Sequence, residues 1–270
     1  MTIPKSFQAL GQICLIKQKD KQVAQEILKK HSQFKSVYYQ GKISGKLRKP
    51  QVEWLAGERN TLTKVKENYC EFLVDISKVM FSKGNQEEKR RIVSQIKDAE
   101  RKYALRDKDR SSRRLYRERL RSLPNEEILD MFAGIGYFTI PIAKLTPAKV
   151  WAIELNPDSV ELLKQNIKLN KVENQVTVIQ GDCKIETPKL RKKFDRILMG
   201  WFPGTYEFLP IAINVAKKGA VIHFHELAET AEDIISKIKE LNLPVKVIKS
   251  TKVKAYGIRM WHWVIDLKYH

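Results

Sequence analysis

Three carboxylates follow three successive strand-like segments of this chain, and their spacing is where chemistry is most legible. The apolar Ile128-Leu129 leads into Asp130-Met131-Phe132-Ala133-Gly134-Ile135-Gly136. Gly134 and Gly136 form a turn whose backbone can approach a ligand where side chains would collide. A glycine pair alone is weak evidence, because many strand-to-helix turns contain two. The Asp-x-x-x-Gly-x-Gly form, unlike Gly-x-Gly-x-x-Gly, favours a nucleoside or amino-acid end over a pyrophosphate. One strand later, Trp151-Ala152-Ile153 ends in Glu154, an acid able to accept both hydrogens of a ribose diol. After a third strand, Gly181-Asp182 offers an acid placed for an adenine amino group. Each acid alone reads more readily as a helix N-cap or a solvated loop end. All three at successive strand ends, where open α/β sheets bind ligands, point to an adenosine-bearing cofactor. S-adenosylmethionine fits better than a dinucleotide.

The elements that must position these residues alternate between strand and helix patterns over residues 124–270. Strands are expected at Ile128–Met131, Lys149–Ile153, Val176–Gln180, Arg196–Met199, Ala220–Phe224, Val245–Ser250 and Trp261–Leu267. Helical periodicity fills most of the gaps, for example Asp158–Asn170 and Thr230–Leu241. This alternation predicts an α/β fold with a doubly wound, mostly parallel, Rossmann-like sheet. The last two strands lack a full helix between them, which predicts an antiparallel C-terminal edge. Residues 1–81 read as a small N-terminal α/β domain, with strands at Gln12–Lys17, Ser36–Tyr39 and Gln51–Leu55 and a helix at Gln22–His31. Residues 82–123 read as a basic helical connecting segment, where Ile92, Ile96, Ala99 and Tyr103 can share one helix face.

Composition narrows the partners. The 270 residues include 51 Lys and Arg against 31 Asp and Glu, a formal net charge of +20. So large an excess attracts polyanions, nucleic acid first and an anionic membrane surface second. A hydrophobic share of 43% is enough for a packed core. No apolar run approaches the ~20 residues that span a bilayer. Met1–Lys5 lacks a signal-peptide pattern, and Cys14, Cys70 and Cys183 show no metal-ligand spacing. A cytoplasmic protein without metal is expected, with a monomer as the favoured state.

The run Asp130 to Pro141, with Ala152-Ile153-Glu154-x-Asn156-Pro157 and Asn166-Ile167-Lys168-Leu169-Asn170, resembles class I S-adenosylmethionine-dependent transferases. More narrowly it is similar to enzymes modifying the guanosine 3′ of the tRNA anticodon, position 37. Two branches share this pattern. The guanine-N1 methyltransferases carry Ser-Pro-Arg upstream and Asn-Leu-Pro after the fourth strand. Here Phe81-Ser82-Lys83-Gly84-Asn85 and Met199-Gly200-Trp201 stand instead. These, with His223-Phe224-His225-Glu226 and Trp261-His262-Trp263, resemble the archaeal wybutosine-synthesising aminocarboxypropyltransferases. The resemblance implies transfer of the 3-amino-3-carboxypropyl group to a wyosine-precursor guanosine of tRNA-Phe, with methylthioadenosine released. Guanine-N1 methylation is the alternative within the class, and a non-catalytic RNA-binding module the alternative outside it.

The same resemblance implies cofactor contacts at Ser82, Glu154 and Asp182, beside the loop residues Asp130, Phe132, Gly134 and Gly136. A family Arg aligns with Lys89, a point charge in place of a planar fork, so either Lys89 or Arg90 takes its role. Which carbon beside the sulfonium faces the nucleophile decides the product, so placement outweighs acid–base chemistry. His225 and Glu226 are candidates to remove a ring proton; the competing reading is a hydrogen-bonded pair packing the site wall. Trp201, Phe202 and Tyr137 are candidates to stack on a flipped base. Arg48, Arg113, Arg114 and Arg117 are candidates for tRNA contact.

Overall fold

The computed structural model describes residues 7–45, 47–81, 85–104 and 125–270, with the helical backbone alone for 97–104. Its first sheet has the order β1-β2-β3-β4, from Gln8–Leu10, Ile13–Ile16, Ser36–Ser44 and Lys49–Gly57. β2 and β3 run parallel, joined through helix α1 (Lys21–Lys30). Asp20 starts α1 by accepting the amides of Gln22 and Val23, and Val23, Ala24 and Ile27 turn inward. β3 runs on through Gly41 to Ser44.

A hairpin of β5 (Leu62–Glu67) and β6 (Cys70–Asp75) follows, turning at Asn68 and Tyr69, both at positive φ. It packs against the second half of the molecule through helix α4 (Pro157–Asn170). Asn166 Oδ1 accepts the Leu73 amide at 2.6 Å, and its Nδ2 donates to the Leu73 carbonyl. Asn170 does the same with Glu71, accepting at 3.0 Å and donating at 2.6 Å. The two amide side chains thus satisfy backbone groups of β6 that no neighbouring strand reaches.

The large sheet has the order β12-β13-β11-β10-β7-β8-β9. Its parallel strands are β7 (Glu127–Asp130), β8 (Lys149–Glu154), β9 (Val176–Gln180), β10 (Phe194–Met199) and β11 (Ala216–Ala228). β13 (Met260–Tyr269) is antiparallel to both β11 and β12 (Val245–Gly257), the expected edge arrangement. Helix α3 (Thr139–Leu145), α4, α5 (Cys183–Lys189), α6 (Leu209–Asn214) and α7 (Ala231–Glu240) cross between strands. Successive strand residues such as Ile128 and Leu129, or Ala152 and Ile153, enter different apolar clusters. Both faces of the sheet are therefore buried, which explains the nearly continuous apolar strands. Strand order reverses beside β7, so a crevice opens at its carboxyl end.

Helix α2 (Gln86–Ala104) lies against this body with Ile92, Val93 and Ile96 buried. A polar chain fixes it. Arg91 clasps Glu88 at 2.6 and 2.8 Å and Asp266 at 2.5 and 2.9 Å. Asp266 meets His223 Nδ1 at 2.7 Å, and His223 Nε2 meets Arg196 at 2.8 Å. Burial alone would raise the Asp266 pKa, but His223 and Arg91 hold it far below the carboxylate range. Ala99 and Tyr103, expected on the buried face, have side chains outside the described residues.

Candidate active site

A cavity of about 290 Å³ lies beyond the carboxyl ends of β7 to β10. Its lining carries acids. Glu154, the last residue of β8, accepts the Gly134 amide at 2.7 Å and the Asn156 amide at 2.8 Å. Burial raises its pKa, against the pull of these amides and of the Arg48 charge. Gly134 lines the cavity with φ +57, and a Cβ there would meet the Tyr137 ring at 2.6 Å. Phe132 lines the same wall. Asp182 combines both readings offered by the sequence. It lines the cavity and also caps α5, accepting the Lys184 amide at 2.9 Å.

Two of the loop candidates stand behind this wall. Asp130 is fully buried, accepts the Thr139 hydroxyl at 2.8 Å and the Phe132 amide at 3.3 Å, and is not a lining residue. Burial pushes its pKa up to about 6 despite these hydrogen bonds. A Cβ on Gly136 would strike Ile140 at 2.5 Å and Leu163 at 2.9 Å. That glycine serves the packing of α3 on α4, not ligand approach. Ser82 lies outside the described residues, as do Arg113, Arg114 and Arg117.

The lining also carries cations. Lys89 lines the cavity while Arg90 is exposed, its Nε donating to the Gln86 carbonyl. Lys89 Nζ donates to Glu67 at 2.5 Å, with both side chains 1% exposed. Burial lowers the ammonium pKa, opposed by Glu67. Arg48, in the turn between β3 and β4, reaches into the cavity wall. Its guanidinium lies 4.2 Å from the Trp201 ring centroid and donates to the Phe202 carbonyl. Trp201 stacks in turn on Phe132, at 6.1 Å and 26°. Lys254 and Tyr256 join the lining from β12, and nothing in the sequence reading pointed to either.

His225 and Glu226, the expected acid–base pair, are fully buried and neither lines the cavity. Glu226 accepts the amides of Gly204, Thr205 and Leu227, each at 2.9 Å. His225 Nδ1 lies 3.0 Å from His262 Nε2, and Phe202 stacks on His262 at 4.1 Å. Burial, then the nearby His223, takes the His225 pKa down to about 3, so its ring is neutral. The contacts match the competing reading of a hydrogen-bonded pair, which here braces the loop carrying Trp201 and Phe202. Among the described residues no His, Cys, Asp and Glu cluster is placed to hold a metal, and no helix is long and apolar enough to cross a membrane.

The TRM5/TYW2 methyltransferase domain family matches residues 63–105 and 110–254, and the TYW2 N-terminal domain family matches residues 1–61. The chain belongs to the TRM5/TYW2 family. Its β5–β6 hairpin thus falls with the methyltransferase-domain match, as its packing on α4 would suggest. The tRNA(Phe) (4-demethylwyosine(37)-C(7)) aminocarboxypropyltransferase of Methanocaldococcus jannaschii is 34% identical, with 97% of both chains covered. The structure of Pyrococcus horikoshii TYW2 with MeSAdo superposes with a TM-score of 0.75 at 29% identity, covering 98% of this chain and 91% of that one. The complex of aTrm5 with tRNALeu gives 0.79 at 28%, covering 99% and 73%.

Proposed function

We propose that this protein transfers the 3-amino-3-carboxypropyl group of S-adenosylmethionine to C7 of 4-demethylwyosine at position 37 of tRNA-Phe. The end-to-end likeness to an aminocarboxypropyltransferase carries the reading. Met199-Gly200-Trp201, where the methyltransferase branch has Asn-Leu-Pro, supports it.

The donor set suits S-adenosylmethionine. Glu154, oriented by two backbone amides, accepts from the ribose diol, and Asp182 from the adenine amino group. Phe132 and Gly134 give an apolar wall and a close backbone approach. Lys89, which lines the cavity, would receive the methionine carboxylate. When bound, S-adenosylmethionine supplies a sulfonium that activates the γ-carbon of its methionine arm as well as its methyl group. The protein's task is then placement. Trp201 gives a flat surface for the target base, which displaces or sandwiches the Arg48 guanidinium now lying on that ring. His225 and Glu226 keep that surface in place and transfer no proton.

The partner is tRNA, held in the cytoplasm by the basic surface, with Arg113, Arg114 and Arg117 among its phosphate contacts. Changing those three to Ala weakens tRNA binding and flattens its salt dependence, with S-adenosylmethionine affinity unchanged. Incubating the protein with S-adenosylmethionine and tRNA carrying the precursor base tests the main reading. Methylthioadenosine as product is expected. S-adenosylhomocysteine formed with tRNA that carries an unmodified guanosine 37, and no methylthioadenosine with the precursor tRNA, assigns the chain to guanine-N1 methylation, and failure to bind S-adenosylmethionine in calorimetry revives the non-catalytic module.

A further inference from the structure

We propose that the end of the β12–β13 hairpin is an RNA-docking element, in which Ile258 packs against the base faces laid open in the anticodon loop when base 37 turns into the cavity. The proposal rests on the reading above and extends it to a segment outside the pocket.

Turn chemistry does not account for the residues at this end. Gly257 pairs with Met260, so Ile258 and Arg259 form a two-residue loop. Such loops favour Asn, Asp and Gly, which reach positive φ at little cost. Here Arg259 takes the left-handed conformation, at φ +51, and Ile258 is 98% exposed. Tyr256 and Met260 beside them are exposed too. A lone exposed apolar residue is ordinary, but Tyr256, Ile258 and Met260 around one turn form a patch that the fold itself does not use. Edge protection does not call for it, since lysines along the edge strand β12 already serve that purpose.

Position and charge name the occupant. Tyr256 is both exposed and a lining residue, so it stands at the cavity mouth. Its ring meets Phe202, another lining residue, edge-on at 5.9 Å and 79°. Ile258 follows two residues later, within about 7 Å of chain. The ladder slips by one residue between Lys252 and Lys254 and again between Ala255 and Gly257. Each bulge bends β12 and adds twist, where Lys254 and Tyr256 reach the cavity. From Val245 to Trp263 the hairpin carries Lys246, Lys249, Lys252, Lys254 and Arg259 and no acidic residue. Arg259 has Glu229 at 3.7 Å, with both side chains mostly exposed. A flipped nucleotide leaves its former neighbours unstacked, and side chains such as Leu, Ile and Met fill gaps of this kind. An apolar tip on a cationic hairpin, next to the place where the base enters, has that chemistry. A lipid surface also takes an apolar tip among cations, but gives no reason for the tip to adjoin the cavity.

Filter binding of tRNA carrying the precursor base tests this, with calorimetry of S-adenosylmethionine as the measure of an intact fold and pocket. Ile258→Ser is expected to weaken tRNA binding about tenfold, the scale of one largely buried aliphatic side chain. Ile258→Leu stays within about twofold of the wild type. Arg259→Ala lowers the salt slope by about one phosphate contact. S-adenosylmethionine affinity is unchanged in all three variants. Unchanged tRNA affinity in Ile258→Ser overturns the assignment and leaves the reading of the active site standing. So does an Ile258→Ser variant that keeps tRNA affinity but loses binding to phosphatidylserine vesicles, or that turns a wild-type dimer into a monomer. The tip then belongs to a membrane or to a second copy of the chain. A wild-type protein that binds S-adenosylmethionine but not tRNA overturns the substrate reading together with the assignment.

Discussion

The acidic and cationic residues that line the cavity are held by different means. Glu154 and Asp182 sit at strand ends, each fixed by backbone amides of the adjoining turn. Their geometry comes from local chain, within a few residues or one strand of the acid itself. Arg48, Lys89 and Lys254 arrive from the first sheet, from α2 and from the last hairpin. Their positions depend on stacking, on a buried counter-charge and on a bulge. A site can therefore have one half set by strand register and another half set only by tertiary docking.

The largest effect should come from the counter-charge. Lys89→Met leaves the Glu67 carboxylate buried without its cation and is expected to cost about 3–5 kcal/mol of stability. Thermal unfolding by circular dichroism measures it, and the double variant with Glu67→Leu should recover most of the loss. An unchanged melting temperature would remove the buried pair from the account of the cationic residues.

Asp130 stands behind the acids, its carboxyl held by the Thr139 hydroxyl and the Phe132 amide. Its carboxyl takes up a proton near pH 6 in the folded chain, against an ordinary value of 3.8. Between those values the folded state binds more protons than the unfolded one, so stability falls as pH rises through this window and levels above it. The difference corresponds to on the order of 3 kcal/mol. Denaturant midpoints from pH 4 to 7 should show this slope in the wild type and a flatter profile in Asp130→Asn. A slope that survives the substitution belongs to another group.

Glu154→Gln keeps the size of the side chain but loses the charge and one of its two amide acceptors. A tenfold to hundredfold loss of S-adenosylmethionine affinity is expected, the range for hydrogen bonds to a charged group. Asp182→Asn should be the mildest. Asn caps a helix as well as Asp, so the melting temperature holds, while affinity falls about threefold. A large thermal effect there would mean that the cap, not the ligand contact, dominates this position.

The division between the two sets also explains what the sequence disclosed. β7 to β9 could be placed from apolar runs, and the acids from their strand ends, because both follow local periodicity. Lys254 carried no signal, since a bulge depends on pairing with a strand that the pattern alone does not align. Arg48 pointed to phosphate contact as any exposed-looking Arg beside a turn does; only docking of the first sheet brings it over Trp201. Elements not placed in advance include β1, β5, β6 and α5. β5 exposes lysines on its outer face, and α5 is a seven-residue helix containing Pro188. His225 and Glu226 were legible as polar residues in an apolar strand, but their side-chain partners were not.

The link from Arg91 to Asp266 joins residues 175 positions apart. Such a contact closes a very long loop and forms only after much of the chain between has collapsed. The last hairpin, which carries Lys254, is seated by the same strand that presents Asp266. On this ground the docking of α2 on β13 is expected to be among the later steps of folding. During refolding, recovery of S-adenosylmethionine binding should lag behind the return of helical signal, which makes the ligand a reporter of the final docking step.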